Sequence, residues 1–364
     1  MPKIQNPLRI FSRKTKQVTQ ESVPQLTLYD RRALEYPGAF GSLPVAAYDE
    51  METDSMIQTA MTIKKQAVLA ASFKIIPSDD SALAKQKAEF VSETFNQMEG
   101  SARSILLGAM DAFVKGWSVQ EMVFVTRGDG IHLKAVRQKD PSNFGLKMDA
   151  FGQIEALTVH VPGEEQTEVP RDKFVIYVNR SRYGKPKGVS DLDAAWKHCL
   201  AKKALQNAWR AHLERFASPT ILGRYERGLP PEEQSGILGA LRDLHQHTAI
   251  VFPKEIEIST LHGSIADNES FLRAIEFHNR EIARSILGQT LTTDEGRRVG
   301  SLALGRVHLQ ILMLQIDAIR RELADSVMTE QVIRTIVEMQ FGPGPIPRFE
   351  FDSEPNEMFS HGRL

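Results

Sequence analysis

Residues 280–308 read REIARSILGQTLTTDEGRRVGSLALGRVH. The stretch joins two of the most helix-like segments of the chain, and between them residues 288–301 (GQTLTTDEGRRVGS) break the pattern. That connection holds three threonines, three glycines and two adjacent arginines, with only two large apolar residues. A surface connection between helices usually needs only a few residues. A loop of this length is either idle slack or a working part.

Working outward, ADNESFLRAIEFHNREIARSIL reads as a long helix over about 266–287, and LALGRVHLQILMLQIDAIRRELADSVM as a strongly apolar helix to about 328. A matching long helix lies upstream. YGKPKGVS breaks the chain, Ser190 and Asp193 give an S-x-x-D start signal, and the helix runs to about Ala217, before Pro219. At ~1.5 Å per residue it spans roughly 40 Å. Between the two long helices, residues 218–264 form a small unit: PTILGRY, TAIVFP and EIEIST are strand-like, and PPEEQSGILGALRDLHQ is helical with prolines near its first turn. Two long helices bracketing a compact insert predict a stalk with a cap at its far end.

The rest of the chain forms an α+β body. A helix is expected at about 49–68, a strand at SFKIIP, and helices at about 81–98 and 101–116 whose serines, Ser81 and Ser101, suit capping. From 117 to 178 the runs WSVQEMVFV, GIHLKAVR, IEALTVHV and KFVIYVN predict a largely antiparallel sheet. RFEFDSE reads as a last strand. Residues 21–48 read as an irregular wrapping segment, and the first twenty residues, with five cations and no acid, as a disordered arm.

Composition excludes several classes of function. The chain has 364 residues and a formal net charge of -1, which argues against a broad basic face gripping nucleic acid. No apolar run reaches membrane-spanning length and no secretory signal opens the chain. The single cysteine, Cys199, excludes an intramolecular disulfide framework and a multi-cysteine zinc site, so a soluble protein of a reducing compartment is expected. There is no P-loop, no GxGxxG after a strand, no GxSxG and no HExxH. His245 and His247 are two apart on a helix and face different ways. His198 and Cys199 are neighbours and do not face each other. Asp191 and Asp193 suit the dipole of a helix start. Asp294 and Glu295 have no identifiable catalytic partner. No cofactor, metal or catalytic residue is expected.

The charged helices are more informative. Lys197, Lys202, Lys203, Arg210 and Arg215 stand on the first long helix. Asp267, Glu269, Glu276 and Glu281 interleave with Arg273, Arg280 and Arg284 on the second. They are either solvated faces with i,i+4 pairs or groups that pair subunits in a closed ring and face its lumen.

Three stretches together resemble the portal proteins of tailed bacteriophages, specifically the Mu-like portal family, from about Asp49 to Asp352. DSMIQTAMTIKKQAVLAASFKIIP is similar to the opening of the family's wing. GVSDLDAAWKHCLAKKALQNAWRAHLERFASPTILGRY is similar to the segment where a G-x-S turn launches the first stem helix. REIARSILGQTLTTDEGRRVGSLALGRVH, the most specific, resembles the second stem helix, the tunnel loop and the helix after it.

The resemblance implies a ring-forming α+β portal fold of about a dozen subunits at one vertex of a phage head. Residues 1–48 would be an arm and wrapping segment, 49–187 wing, 188–217 the first stem helix, 218–264 clip, 265–287 the second stem helix, 288–301 tunnel loop and 302–352 wing again. Double-stranded DNA would pass the loop, where Thr290, Thr292, Thr293, Arg297 and Arg298 touch phosphates weakly and without reading bases. Lys197, Lys202, Lys203, Arg210, Glu276, Arg280, Glu281 and Arg284 would line the stem channel or its subunit interfaces. Arg224, Tyr225, Ile250 and Phe252 would be docking residues of the clip. The implied partners are further copies of the chain, DNA, the terminase large subunit, the head–tail adaptor, and the major capsid and scaffold proteins, with no membrane. The implied location is the virion, with assembly in the host cytoplasm. The chain stops at Leu364, where family members continue into a helical crown, so an absent or shortened crown is expected. The competing readings are an accessory subunit of a DNA-processing enzyme, with a metal among Asp294, Glu295 and His308, and a monomeric α+β binding module.

Overall fold

The computed structural model describes residues 43–127, 130–149, 154–160, 165–182, 185–216, 220–224, 230–243, 257–261, 265–289 and 302–352. Two helices, α1 (Val45–Met51) and α2 (Ser55–Leu69), lead to strand β1 (Phe73–Ile76). The sequence predicted one helix over 49–68. It is divided because the Asp54 carboxylate accepts the N–H groups of Met56 and Ile57 and caps α2 anew.

Helices α3 (Ala82–Gln97), α4 (Ala102–Ala109) and α5 (Ala112–Lys115) follow. Ser81 caps α3, and Ser101 and Ser104 cap α4 reciprocally, as serines before an apolar period should. Next come β2 (Trp117–Arg127), β3 (Gly130–Lys139), β4 (Phe144–Met148), β5 (Ile154–Val159), β6 (Thr167–Pro170) and β7 (Phe174–Val178). The pairing is antiparallel, as expected, but in two sheets, ordered β3-β2-β7 and β4-β5-β6.

The chain continues through α6 (Trp196–Phe216), β8 (Thr220–Arg224), α7 (Pro231–Asp243), β9 (Glu257–Leu261), α8 (Ile265–Leu287) and α9 (Leu302–Glu322). From α9 it passes into a π-helical run, Leu323–Ile333, in which the Arg334 N–H reaches back five residues to Thr329 O. It ends with α10 (Arg334–Phe341) and β10 (Arg348–Phe351), which pairs antiparallel with β1.

These elements form two compact units, the described residues of 43–48, 65–193 and 316–352 in one, and those of 49–64 and 194–315 in the other. In the first unit, the core between the two sheets is Trp117, Val119, Phe144, Leu157, Phe174 and Ile176. Trp117 and Val119 are alternate residues of β2 and share one face. The opposite face carries Ser118 and Gln120, which are also buried. Ser118 Oγ donates to Ala109 O at 2.9 Å, and Gln120 Nε2 to Ile105 O at 2.9 Å. The two side chains satisfy carbonyls near the end of α4, and β2 is thereby covered on both faces.

The sequence placed a helix start at Ser190. The structure starts α6 at Trp196 instead, after a run of turns at 191–195. The expected capping groups are engaged elsewhere. Ser190 Oγ donates to Val114 O, Asp191 accepts from Arg180 at 2.6 Å and Asn179 at 3.2 Å, and Asp193 accepts the Tyr48 hydroxyl at 2.6 Å. Ser190 Oγ still accepts the Leu192 N–H at 2.9 Å, but four tertiary partners hold these side chains and the local bond closes a turn rather than the first turn of α6. Gly188, at φ +68°, makes the approach possible: a Cβ there would lie 2.4 Å from Asn179 O and 2.5 Å from Gly116 O.

Candidate functional site

The second unit contains the helices on which most of the candidate residues fall. Helices α6 and α8 pack against each other. His198 meets His278 and His212 meets Phe271, so the contacts run in opposite order along the two helices and the pair is antiparallel. Ile275, Ile282, Ala283, Ile286 and Leu287 form the buried face of α8, a spacing that a 3.6-residue period brings to one side. Between α6 and α8 in sequence lie α7 and the antiparallel pair β8–β9, with Arg224 opposite Glu257. The element order follows the sequence reading of two long helices around strands and a helix, and the TAIVFP strand expected at 248–253 lies outside the described residues.

The charges on these helices are largely engaged within the chain. Lys202 is buried, with its Nζ 2.7 Å from Asp54. Lys202, expected to line the stem channel or a subunit interface, is thus a strut that bridges α6 to the carboxylate that caps α2. Lys203 donates to Glu50. Arg284 binds Glu281 one turn away, and Arg210 lies 3.9 Å from Glu214. Lys197 and Arg280 are exposed and Glu276 is half-buried. The ion pairs of Lys202, Lys203, Arg210 and Arg284 run within a helix or to the Glu50–Asp54 segment.

Beside the two struts lies a cleft of about 350 Å³ lined by Glu50, Asp54, Trp196, Cys199, Lys202 and Lys203, among others. Burial pushes the Cys199 thiol up from its ordinary value. That disfavours the thiolate, the nucleophilic form. Nearby, the Nδ1 atoms of His198 and His278 are 3.1 Å apart. Burial lowers the His198 pKa, the Lys197 charge and His278 lower it further, and Glu281 opposes them. Sequence reasoning missed this pair. Its members are 80 residues apart, and no local signal connects them.

Among the described residues, no group of three or more His, Cys, Asp or Glu is placed to hold a metal ion. Among them too, no helix is long and apolar enough to cross a membrane. Thr290, Thr292, Thr293, Arg297 and Arg298 of the expected tunnel loop lie outside the described residues, as do Tyr225, Ile250 and Phe252 of the expected clip surface and the residues Asp294, Glu295, His245 and His247. The loop's flanks are described. α8 closes at Leu287 with Gly288 at φ +70°, a helix-ending conformation, and α9 opens at Leu302.

Apolar side chains are exposed on all three long helices of this region. They are Leu200 and Leu213 on α6, Leu272 and Phe277 on α8, and Val307, Ile311 and Leu314 on α9. The last three recur at i, i+4 and i+7 and share a face.

Comparison with known proteins gives a consistent result. Residues 45–359 match the family model described as the portal protein of Mu bacteriophage. The chain is 24% identical over 283 residues to the portal protein of Escherichia phage Mu, covering 77% of this chain and 52% of that one. It is 24% identical over 319 residues to the Mu-like prophage FluMu protein gp29 of Haemophilus influenzae, covering 85% of this chain and 60% of that one. The chain thus spans between half and two thirds of these curated relatives. Among solved structures, it aligns with a chain from the neck of an empty GTA particle, with TM-score 0.60, 13% identity and 85% of each chain covered. A second match, from the neck of a native GTA particle computed with C12 symmetry, has TM-score 0.59, 14% identity and 87% of each chain covered.

Proposed function

The chain belongs to the family of Mu bacteriophage portal proteins, and from that membership we propose that it is the repeating subunit of a ring at one vertex of a phage head. The ring is the conduit for double-stranded DNA during packaging and ejection. It is also the docking site for the terminase motor and the head–tail adaptor. The observation that carries the reading is the family match over residues 45–359, which spans both compact units.

In this reading α6 and α8 are the stem, the insert of α7, β8 and β9 belongs to the clip, and residues 288–301 are the tunnel loop. The work is mechanical and electrostatic rather than catalytic. DNA must slide, so each contact must be weak. Every neutralised phosphate adds affinity through counterion release, and a loop whose Arg297 and Arg298 are offset by Asp294 and Glu295 keeps that term small. The exposed apolar residues of α6, α8 and α9 support the ring, since a neighbouring copy would cover them. A heterologous interface of this kind closes into a ring when its rotation is an integral fraction of a turn. Capsid and scaffold proteins surround the vertex, which places the protein in the virion after assembly in the host cell.

The test is the mass of the purified chain by light scattering or native mass spectrometry, with the particles imaged alongside. A closed ring of about twelve copies with a central hole is expected. A chain that stays monomeric at high concentration in the presence of its capsid and scaffold partners would overturn the proposal in favour of a monomeric binding module.

A further inference from the structure

We propose that His198 and His278 form a two-imidazole site for a divalent late transition-metal ion of the zinc, nickel and copper class, clipping α6 to α8. The inference is independent of the portal reading and rests on geometry. The two Nδ1 atoms are 3.1 Å apart. Two imidazole nitrogens on one ion, each at about 2.0–2.1 Å, lie roughly 2.9 Å apart when the angle between them is near 90° and roughly 3.3 Å apart when it is tetrahedral. The observed separation falls between these limits.

The rings are held where they are. They come from two different packed helices, their centroids are 5.3 Å apart at 49°, and the Phe277 ring stands steeply to both, 6.2 Å from His198 and 5.2 Å from His278. A ligand pair fixed by two helices and an aromatic wall loses little freedom on binding. Imidazole ligates only when neutral, and burial disfavours the charged form of His198. The Lys197 charge opposes an incoming cation at His198, and Glu281, one turn beyond His278, offsets part of it. No third His, Cys, Asp or Glu completes the set among the described residues, so water fills the remaining positions. That favours ions that bind well through two nitrogens.

The proton balance closes. In the neutral pair one Nδ1–H donates to the other Nδ1. Metal entry requires both Nδ1 atoms bare, so the donor ring changes tautomer, its proton moving to Nε2 through water with no net release.

The test uses the full chain without an affinity tag. Ni(II) and Zn(II) are titrated calorimetrically, and melting is followed with and without each ion. One ion per chain and a rise in Tm are expected. His198→Asn and His278→Asn each put an amide where Nδ1 stood and keep the helices in polar contact, and each should weaken binding by about tenfold or more and abolish the rise in Tm. Wild-type stoichiometry and affinity in either variant would overturn the site. So would the absence of binding by the wild type. Cu(II) electron paramagnetic resonance on the wild type is a check that needs no variant: nitrogen couplings from two imidazoles are expected, and a spectrum with one or none contradicts the proposal.

Discussion

The side-chain amide of Gln331 pairs with both backbone groups of Ile176. Its Oε1 accepts the Ile176 N–H at 2.8 Å, and its Nε2 donates to the Ile176 carbonyl at 2.8 Å. β7 is an edge strand of its sheet, and an unpaired edge invites pairing with another chain. A single amide from the π-helical run imitates the missing neighbour. Gln331→Ala removes that imitation and leaves buried backbone groups unpaired at about 1–3 kcal/mol each. We expect a loss of about 2–4 kcal/mol, read from the chemical denaturation midpoint. A loss below about 0.5 kcal/mol would show that water replaces the amide without penalty.

The buried Lys202–Asp54 pair makes an asymmetric prediction. Removing the carboxylate with Asp54→Ala strands a buried cation and also removes the cap of α2, so the expected loss is about 3–5 kcal/mol. Lys202→Met keeps the stem of the side chain, and Asp54 remains bonded to Met56 and Ile57. That variant leaves the carboxylate without its counter-charge but with two N–H donors, so its loss should be smaller, about 1–2 kcal/mol. Equal losses in the two variants would contradict the strut.

Gly188→Ala should destabilise by about 2–3 kcal/mol. The added carbon must avoid two backbone carbonyls at a positive φ. Thermal unfolding decides the matter, and an unchanged Tm would mean that the turn relaxes freely.

Asp140 sets a pH dependence. Its carboxylate accepts the Ser142 N–H at 2.9 Å, and that bond holds its pKa below the ordinary value. The folded chain thus gives up this proton more readily than the unfolded chain, and the resulting stabilisation is fully present above the unfolded pKa. It is lost as pH falls through the lower folded pKa. The stability gap between wild type and Asp140→Ala should therefore be widest near neutrality and close below about pH 4. A gap that persists at lower pH would point to a contribution other than ionisation.

Deleting residues 291–299 should leave assembly of the proposed ring intact while impairing DNA packaging or retention. Packaging assays on particles built with the deletion provide the readout. Normal packaging would remove the tunnel-loop role.

The parts of the fold that were legible in the sequence are those governed by short-range rules. Ser81 and Ser101 precede apolar periods and cap the helices that follow. Alternation over 117–178 gave strands, and the two long helices with their insert were visible as periods of 3.6 around a compact break. The rest depends on partners far along the chain. Ser190 and Asp193 look like a cap, but Val114 O and the Tyr48 hydroxyl claim them. A 49–68 period conceals the break at Asp54, because a cap in mid-pattern costs the period nothing. The π-helical run has no signature, since a shift from four to five residues per hydrogen bond leaves the apolar pattern nearly unchanged. Lys202 read as a surface cation because nothing near it in sequence indicates a buried carboxylate.

The two struts also impose an order in time. Glu50 and Lys203 are 153 residues apart, and Asp54 and Lys202 are nearly as distant. At roughly 5–20 residues per second, a ribosome needs about eight to thirty seconds to pass from one end of such a bridge to the other. Throughout that interval the start of α2 has its backbone cap but lacks its cation. A chain truncated before Lys202 never gains it. α1 and α2 are therefore secured to α6 only when more than half of the chain has been made, and the packed pair of α6 and α8 exists only later still.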